Sequence, residues 1–186
     1  MQKIIVYLLA SMLLLSSCGG NSENPAPKLS QGQPTLLSSG SGFEMYTPEK
    51  WSQEGEENLP TPYLGELVLS LRSPSKNYGF SHNLIILKKS LETLVNSSQY
   101  SIMNNRATKS KYIQYEKIDA YPIRFRDSDS SRVYIFDAKY NNQTPKLRFI
   151  QTAKVCGSDV YLLHFAISLN RSPDDYIKLL ETFHCK

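Results

Sequence analysis

Apolar residues are not spread evenly along this chain. An unbroken apolar run, Ile4 to Leu15, stands at the N-terminus, and a stretch with no apolar period follows it. From Phe43 onward the period is mostly two. Phe43-Glu44-Met45-Tyr46 alternates and stops at Thr47-Pro48, with Trp51 three residues past the proline, which predicts a short strand. Leu67, Leu69 and Leu71 fall on one face of a second strand that should end before Pro74, and Asn83 to Lys88 predicts a third. Between these two, residues 73–81 carry Pro74, Asn77 and Gly79 and read as a turn.

The period changes at Leu91. Leu91, Leu94 and Val95 sit at i, i+3 and i+4, and Ile102 and Met103 extend the pattern. A helix is expected within 91–109, with its best-defined part over 98–108, and Asn96-Ser97-Ser98 is a point where it can break. Strands then return in series. Tyr112 to Lys117 is one, and Tyr121, Ile123 and Phe125 define a second, in which Pro122 points to an edge position or a strand start. Tyr134, Phe136, Ala138 and Tyr140 define a third, and Lys146 to Val155 a fourth. Cys156-Gly157-Ser158-Asp159 reads as a hairpin turn into Val160 to Leu169. A final helix starts at Ser172-Pro173, with Asp174 and Asp175 at the positive end of its dipole. Tyr176, Leu179, Leu180 and Phe183 form its apolar stripe. Strands in series with helices packed on them predict an α+β domain, an antiparallel meander covered by helices.

The 186 residues suit a single domain, 40% hydrophobic and 20% charged. This composition excludes collagen-like, coiled-coil and fully disordered chains, and a single apolar run excludes a polytopic membrane protein. Lys3 and the apolar run have the proportions of a secretory signal, since twelve helical residues span only about 18 Å of a roughly 30 Å hydrocarbon layer. Leu15-Ser16-Ser17-Cys18 resembles the bacterial lipobox. That resemblance implies cleavage before Cys18, a signal peptide over residues 1–17, and lipidation of the Cys18 sulfur with palmitate-type acyl chains, which anchor stably when two or three are present. Gly19, rather than Asp, at the following position points to the outer membrane in a Gram-negative host. Residues 18–42 are read as a flexible tether, because Gly19 to Gly42 contains five glycines, five serines and three prolines and no apolar period. Residues 43–186 are left as the globular domain.

Cys156 and Cys185 remain after Cys18 is assigned, and in an exported protein a disulfide is the default reading. A zinc site built from Cys156, His164, His184 and Cys185 is a rival, although adjacent His184 and Cys185 lack the usual ligand spacing, and two free thiols are a third reading. Charge is divided. Residues 43–67 hold six Glu and one Lys, whereas residues 68–186 hold eighteen basic and ten acidic side chains. Two solvated surfaces of opposite sign are the simple reading, and a basic face toward anionic lipid is the alternative.

Chemistry is sparse. His164 is the best general-base candidate, with Ser158 and Asp159 near it in sequence, but no nucleophile-elbow pattern accompanies it. Asp127-Ser128-Asp129 begins like a calcium loop and then fails, with Arg132 at position 6 and Ala138 at position 12. Glu54, Glu56 and Glu57 read as an exposed acidic loop. The twelve tyrosines read as half-buried strand packing, with a peptide or glycan surface as the alternative.

The order of elements resembles that of the PsbP-like domains. The residues that carry the resemblance are Gly42-Phe43-Glu44-Met45-Tyr46-Thr47-Pro48-Glu49-Lys50-Trp51, the hairpins at 112–126 and 134–154, Val160-Tyr161-Leu162-Leu163, and the closing Tyr176, Leu179, Leu180 and Phe183. Such domains include the photosystem II extrinsic subunit, bacterial lipoproteins of the DcrB type and a eukaryotic factor that binds the Ran GTPase. The resemblance implies an α/β/α sandwich used as a binding scaffold. The expected protein is a monomeric, lipid-anchored extracytoplasmic accessory domain without catalysis, cofactor or metal. It engages the membrane through its lipid and an envelope protein complex through its surface, and nucleic acid is not an expected partner. An envelope-polymer hydrolase and a photosystem assembly factor are the alternatives.

Overall fold

The computed structural model describes residues 26–30, 32–55, 65–77 and 79–186. The signal peptide, Cys18 and its neighbours, and Glu56 and Glu57, lie outside the described residues. Twelve elements follow in order: β1 (Thr35–Gly40), β2 (Phe43–Pro48), β3 (Ser52–Gln53), β4 (Glu66–Asn77), β5 (Phe80–Ser90), α1 (Ser97–Lys109), β6 (Ile113–Arg124), β7 (Ser130–Lys139), β8 (Leu147–Cys156), β9 (Asp159–Ile167), α2 (Asp174–Glu181) and β10 (His184–Cys185). Seven strands form one antiparallel sheet in the order β3-β4-β5-β9-β8-β7-β6, and β1-β2-β10 form a second. The meander over β6 to β9 is as the alternation predicts, and its last strand returns to pair with β5. Pro122 lies on β6, an outermost strand, where a missing N–H costs no ladder bond.

The small sheet and α2 cover one face of the large sheet. Their shared core stacks Phe43 on Phe183 at 5.1 Å between ring centroids, with Tyr161 edge-on to Phe43 at 5.4 Å. Trp51 packs against Phe165 and Tyr176, which explains a tryptophan just past the Pro48 stop. The β1–β2 turn is built for close approach. Gly42 has a φ of 84°, and a Cβ there would lie 2.5 Å from the Tyr161 hydroxyl, which donates to the Ser41 carbonyl.

Helix α1 lies on the other face, over β7 and β8. It does not dock through an apolar stripe. Its buried positions are Ser97, Ser101, Asn104 and Thr108. The Ser97 hydroxyl donates to Asp129 Oδ2 at 2.5 Å and accepts from the Val155 N–H at 2.8 Å. The Ser101 hydroxyl donates to the Arg132 carbonyl, and Gln151 Nε2 donates to Thr108 Oγ1. Beside the start of this seam the nearly buried Lys154 Nζ, 5.4 Å from the Phe125 ring, reaches Asp127 Oδ2 at 2.9 Å and Asp129 Oδ2 at 2.8 Å. The carboxylates of the partial calcium loop are thus matched by an ammonium group from the chain itself. Burial opposes ionisation of Asp129, but hydrogen bonds from Lys154 and Ser97 outweigh it and hold its pKa below the usual carboxylate range.

Several expectations are corrected. Residues 26–42 are not all free tether. Leu29 is buried in the main core, the Ser30 N–H donates to Asp175 Oδ1 at 3.0 Å, and β1 pairs with β2. That strand is held by its backbone ladder, with Leu36 and Leu37 exposed, so it has no apolar signature. The folded unit therefore starts before Phe43. Residues 91–95 are not helical. Leu94 is exposed, and α1 starts at an Asn96 capping box in which Asn96 and Gln99 exchange hydrogen bonds. The two strands expected over 112–126 are one bulged strand, with its first irregularity at Gln114, φ 56°. Strand β4 likewise runs on through Pro74 to Asn77, with its register shifted between Arg72 and Lys76.

Cys156 and Cys185 are bonded, with Cα atoms 5.7 Å apart and a sequence separation of 29, tying the β8–β9 hairpin to β10. Of the three readings of this pair, the disulfide is the one the structure contains. Cys156→Ser with Cys185→Ser should cost about 2–4 kcal/mol in urea unfolding, and wild-type protein under strong reductant should match the variant. An unchanged unfolding midpoint would contradict this. Lys154→Met leaves two acidic groups facing each other beside the N-terminus of α1. It should cost about 2–3 kcal/mol, toward the low end for a broken buried pair because both carboxylates reach water. Amide exchange should accelerate in α1 before it does in α2.

Candidate functional site

Because α1 seats mainly on β7 and β8, with Tyr100 reaching Leu162 and Leu87, the part of that sheet face formed by β4 and the far ends of β5 and β9 is left open. A cleft of about 780 Å³ lies there. Its floor follows from strand register. Ser70 pairs with Ile85, Ile85 with His164, and His164 with Gln151, which puts four side chains in one transverse row at about 4.8 Å per strand. One step along, Arg72, Asn83, Ala166 and Phe149 form a second row. Lys76 pairs with Ser81 farther out. Tyr112 and Tyr140 line the cleft toward β6, and Glu54, Asn141 and Thr144 complete its rim.

The inner row is polar where a covered sheet would be apolar. The next row on the far side shows the contrast, since Leu87, Leu162 and Ala153 sit in a dry cluster with Tyr100 and Leu91. Among the described residues, the buried side-chain atoms without a hydrogen-bond partner are Ser70 Oγ and Gln151 Oε1. Ser70 lines the cleft, whereas Gln151 lies at the other end of the row, beyond Ile85 and His164, outside the cleft lining and bonded to Thr108 of α1. Native proteins satisfy the great majority of such atoms, so the orphaned Ser70 Oγ marks a place in the cleft where something else supplies the partner.

His164 is half-buried on the floor, and desolvation holds its pKa down to about 4, so the ring is neutral at physiological pH and offers one donor and one acceptor. Its sequence neighbours do not assemble a catalytic group around it. Asp159 pairs with Lys88 at 2.9 Å and accepts from the Ser90 hydroxyl, at the opposite end of β9. Glu54, the carboxylate on the cleft rim, binds Arg72 Nε at 2.8 Å. Burial pushes the Tyr112 phenol well above the usual range. Near the C-terminus, His184 sits 3.4 Å from Glu44 on the small sheet, remote from His164. With Cys156 and Cys185 bonded, the four zinc-ligand candidates are not gathered, and among the described residues no group of three or more His, Cys, Asp or Glu side chains is placed to hold a metal.

Sequence reading picked out His164 and the tyrosines but missed Ser70, Arg72, Lys76, Asn83 and Gln151. A signal was available. With Leu67, Leu69 and Leu71 on one face, Ser70 and Arg72 must share the other, and Gln151 interrupts Phe149 and Ala153 on an otherwise apolar row.

His82, on the opposite face, is buried between the Tyr176 hydroxyl at 2.8 Å and the Ser168 hydroxyl at 3.1 Å. Desolvation, with Arg171 adding to it, lowers its pKa to about 4, and burial lifts Tyr176 to about 12. Unfolded histidine takes up a proton near pH 6.5, while both buried rings refuse it until about pH 4. The unfolding free energy should therefore be full above about pH 6.5 and fall steadily down to about pH 4. His82→Gln should remove about half of that slope in pH-resolved urea unfolding. A variant as steep as wild type would refute the assignment.

No family model matches the sequence, and no sequence among the curated proteins matches it. Solved structures do match. Cyanobacterial PsbP (CyanoP) from Synechocystis sp. PCC 6803 superposes with a TM-score of 0.56 at 14% identity, over 92% of this chain and 99% of that one. A protein of unknown function from Pseudomonas aeruginosa, PA94, superposes with a TM-score of 0.52 at 8% identity, over 71% of this chain and 94% of that one. At these identities the likeness concerns architecture alone: the chain carries a PsbP-like α+β fold.

Proposed function

We propose that this chain is a lipid-anchored, extracytoplasmic accessory domain that binds its target without transforming it, of the DcrB-type lipoprotein branch of PsbP-like domains. The binding reading is carried by the cleft. Its lining includes Ser70, whose Oγ has no hydrogen-bond partner, and a neutral His164. A general base needs an oriented partner, and the carboxylates Glu54, on the rim, and Asp159, at the other end of β9, are both committed to cations. Such a surface is suited to recognition. A PsbP-like fold is consistent with an accessory or binding role.

Anchoring rests on Lys3, the apolar run from Ile4 to Leu15 and the Leu15-Ser16-Ser17-Cys18 pattern. Among the described residues no helix is long and apolar enough to cross a membrane. Lipid on Cys18 would hold a monomeric domain within reach of an envelope protein complex. The likeness to cyanobacterial PsbP favours one second reading, a photosystem-associated assembly role in a photosynthetic host.

Metabolic labelling with an alkyne analogue of palmitate, followed by membrane fractionation, tests the anchor. Wild-type protein should carry label and sediment with membranes, and Cys18→Ala should lose both. A Cys18→Ala protein that stays labelled would contradict lipidation at that sulfur. For the accessory role, in-cell photocrosslinking from Ser81 on the cleft rim should yield one stoichiometric envelope protein. Crosslinks scattered over abundant proteins would refute it.

A further inference from the structure

The chain enters the fold at the end that carries its unbalanced positive charge. Strand register sorts the loops into two ends. One end holds the strap before β1, the corner after β2, the β4–β5 turn, the β7–β8 turn and the stretch from β9 into α2. Hydrogen bonds tie its parts together. The Ser30 N–H donates to Asp175 Oδ1, the Thr35 hydroxyl to the Pro27 carbonyl, the Glu49 N–H to the Pro34 carbonyl, and Asn77 Nδ2 to Asn170 Oδ1. Over residues 26–30, 32–34, 48–51, 76–77, 79–80, 110–112, 139–146 and 168–175 this end carries seven basic side chains and three acidic ones. Lys28, Lys50 and Arg171 stand on its small-sheet side with Glu49, Asp174 and Asp175, and the other four are Lys76, Lys111, Lys139 and Lys146. Lys146 pairs with Glu116, whereas Lys28, Lys50, Lys76 and Arg171 have no ion pair among the described residues. The opposite end comprises residues 40–43, 65–67, 88–97, 124–131, 154–160 and 181–186, where six acidic side chains balance six basic ones. There Lys88 pairs with Asp159, Lys154 with Asp127 and Asp129, and Lys186 with Glu44. Two large apolar side chains, Leu169 and Tyr140, also stand exposed at the basic end.

We propose that the basic end lies on an anionic phospholipid surface, so that charge fixes the orientation of a domain already tethered by its lipid. The inference rests on the lipid at Cys18 and adds the face that the domain turns to the bilayer. Eight residues carry the chain from Cys18 to Ala26, where the described strap begins. Fully extended they span at most about 29 Å, and as a flexible chain about 16 Å. The strap itself is fixed, since Leu29 is buried in the main core, Ser30 is bonded to α2, and β1 is paired with β2. The leash is therefore too short to let the domain float a diameter away, and it ends beside Lys28. The field of a charged bilayer fades over about 8 Å at physiological ionic strength. The basic end thus sits where attraction acts, and the balanced end lies beyond it. Leu169 and Tyr140 suit the headgroup layer, which takes up apolar and aromatic side chains. Two or three acyl chains already retain the protein, so the cations set its orientation rather than its residence. The cleft rim at Ser81 belongs to this end, so a protein reached from it stands at the bilayer surface.

The test uses the mature lipoprotein, purified from membranes and reconstituted into vesicles of phosphatidylcholine alone or of an equimolar mixture with phosphatidylglycerol. An environment-sensitive fluorophore is attached at Asn142→Cys, on the β7–β8 turn away from the strap, or at Thr93→Cys at the balanced end. Both positions are exposed, and Cys156 and Cys185 are bonded to each other. A domain that is only leashed has no reason to hold Asn142 against lipid. We expect the Asn142→Cys label to shift to the blue on the anionic vesicles and to return in about 1 M salt, where the field reaches only about 3 Å. The Thr93→Cys label should not respond. Lys28→Glu with Lys50→Glu should lower the docked-to-free ratio about twentyfold or more, at about fivefold for each cation brought to the surface. Lys89→Glu with Arg124→Glu makes the same change in net charge at the other end and should leave the ratio near wild type. An Asn142→Cys label indifferent to phosphatidylglycerol overturns the proposal, as does an equal response of the two labels or of the two charge reversals. If that label is indifferent while the protein stays on neutral vesicles, the orientation falls and the lipid anchor stands. A protein that does not stay on neutral vesicles removes the anchor and the orientation together.

Discussion

The seat of α1 on the large sheet is a line of hydrogen bonds, and the shape of the molecule depends on it. Lys154 holds Asp127 and Asp129, Asp129 accepts from Ser97, and Ser97 accepts in turn from the Val155 backbone. Hydrogen bonds of this kind are directional, so they fix where a helix sits more narrowly than an apolar stripe does. They also reach only where partners exist. Thirteen residues of helix, about 20 Å, docked mainly over β7 and β8, leave β4 and much of β5 uncovered on that face. The cleft is the consequence of a helix too short and too polar to cover the whole sheet.

The opposite face shows the ordinary solution. There the small sheet and α2 bury Phe43, Phe183, Tyr161 and Phe165 in one continuous aromatic core, and a disulfide closes its margin. His82 lies deep in that layer, and both its ring nitrogens are paired, by Tyr176 and Ser168. On the other face His164 lines the cleft in the same transverse row as the orphaned Ser70 Oγ. A site for recognition is expected on the face where pairing is unfinished.

How much of this was legible in the sequence follows from what holds each element. Strands with an apolar face, such as Tyr134 to Ala138 and Tyr161 to Ile167, and α2 with its Tyr176-Leu179-Leu180-Phe183 stripe, announce themselves by period. Elements held by backbone or by hydroxyl groups do not. Strand β1 pairs through its ladder and the hydroxyl groups of Ser38 and Ser39, α1 buries serines and a threonine, and the apolar Leu91, Leu94 and Val95 imitate a helix that starts only at Asn96. The site was hidden for the same reason. Its row is assembled from several strands, so Ser70, Ile85 and His164 fall in line only when register is known. The Cys156–Cys185 pairing, in contrast, followed from a count of cysteines once Cys18 was set aside.

The central claim is that hydrogen bonds, rather than an apolar stripe, seat α1 on the large sheet. The most direct measurement is amide hydrogen exchange of the full chain, comparing wild type with Ser97→Ala. The account predicts faster exchange along α1 while α2 stays as protected as in wild type. Unchanged exchange in α1, or equal acceleration in both helices, would contradict it.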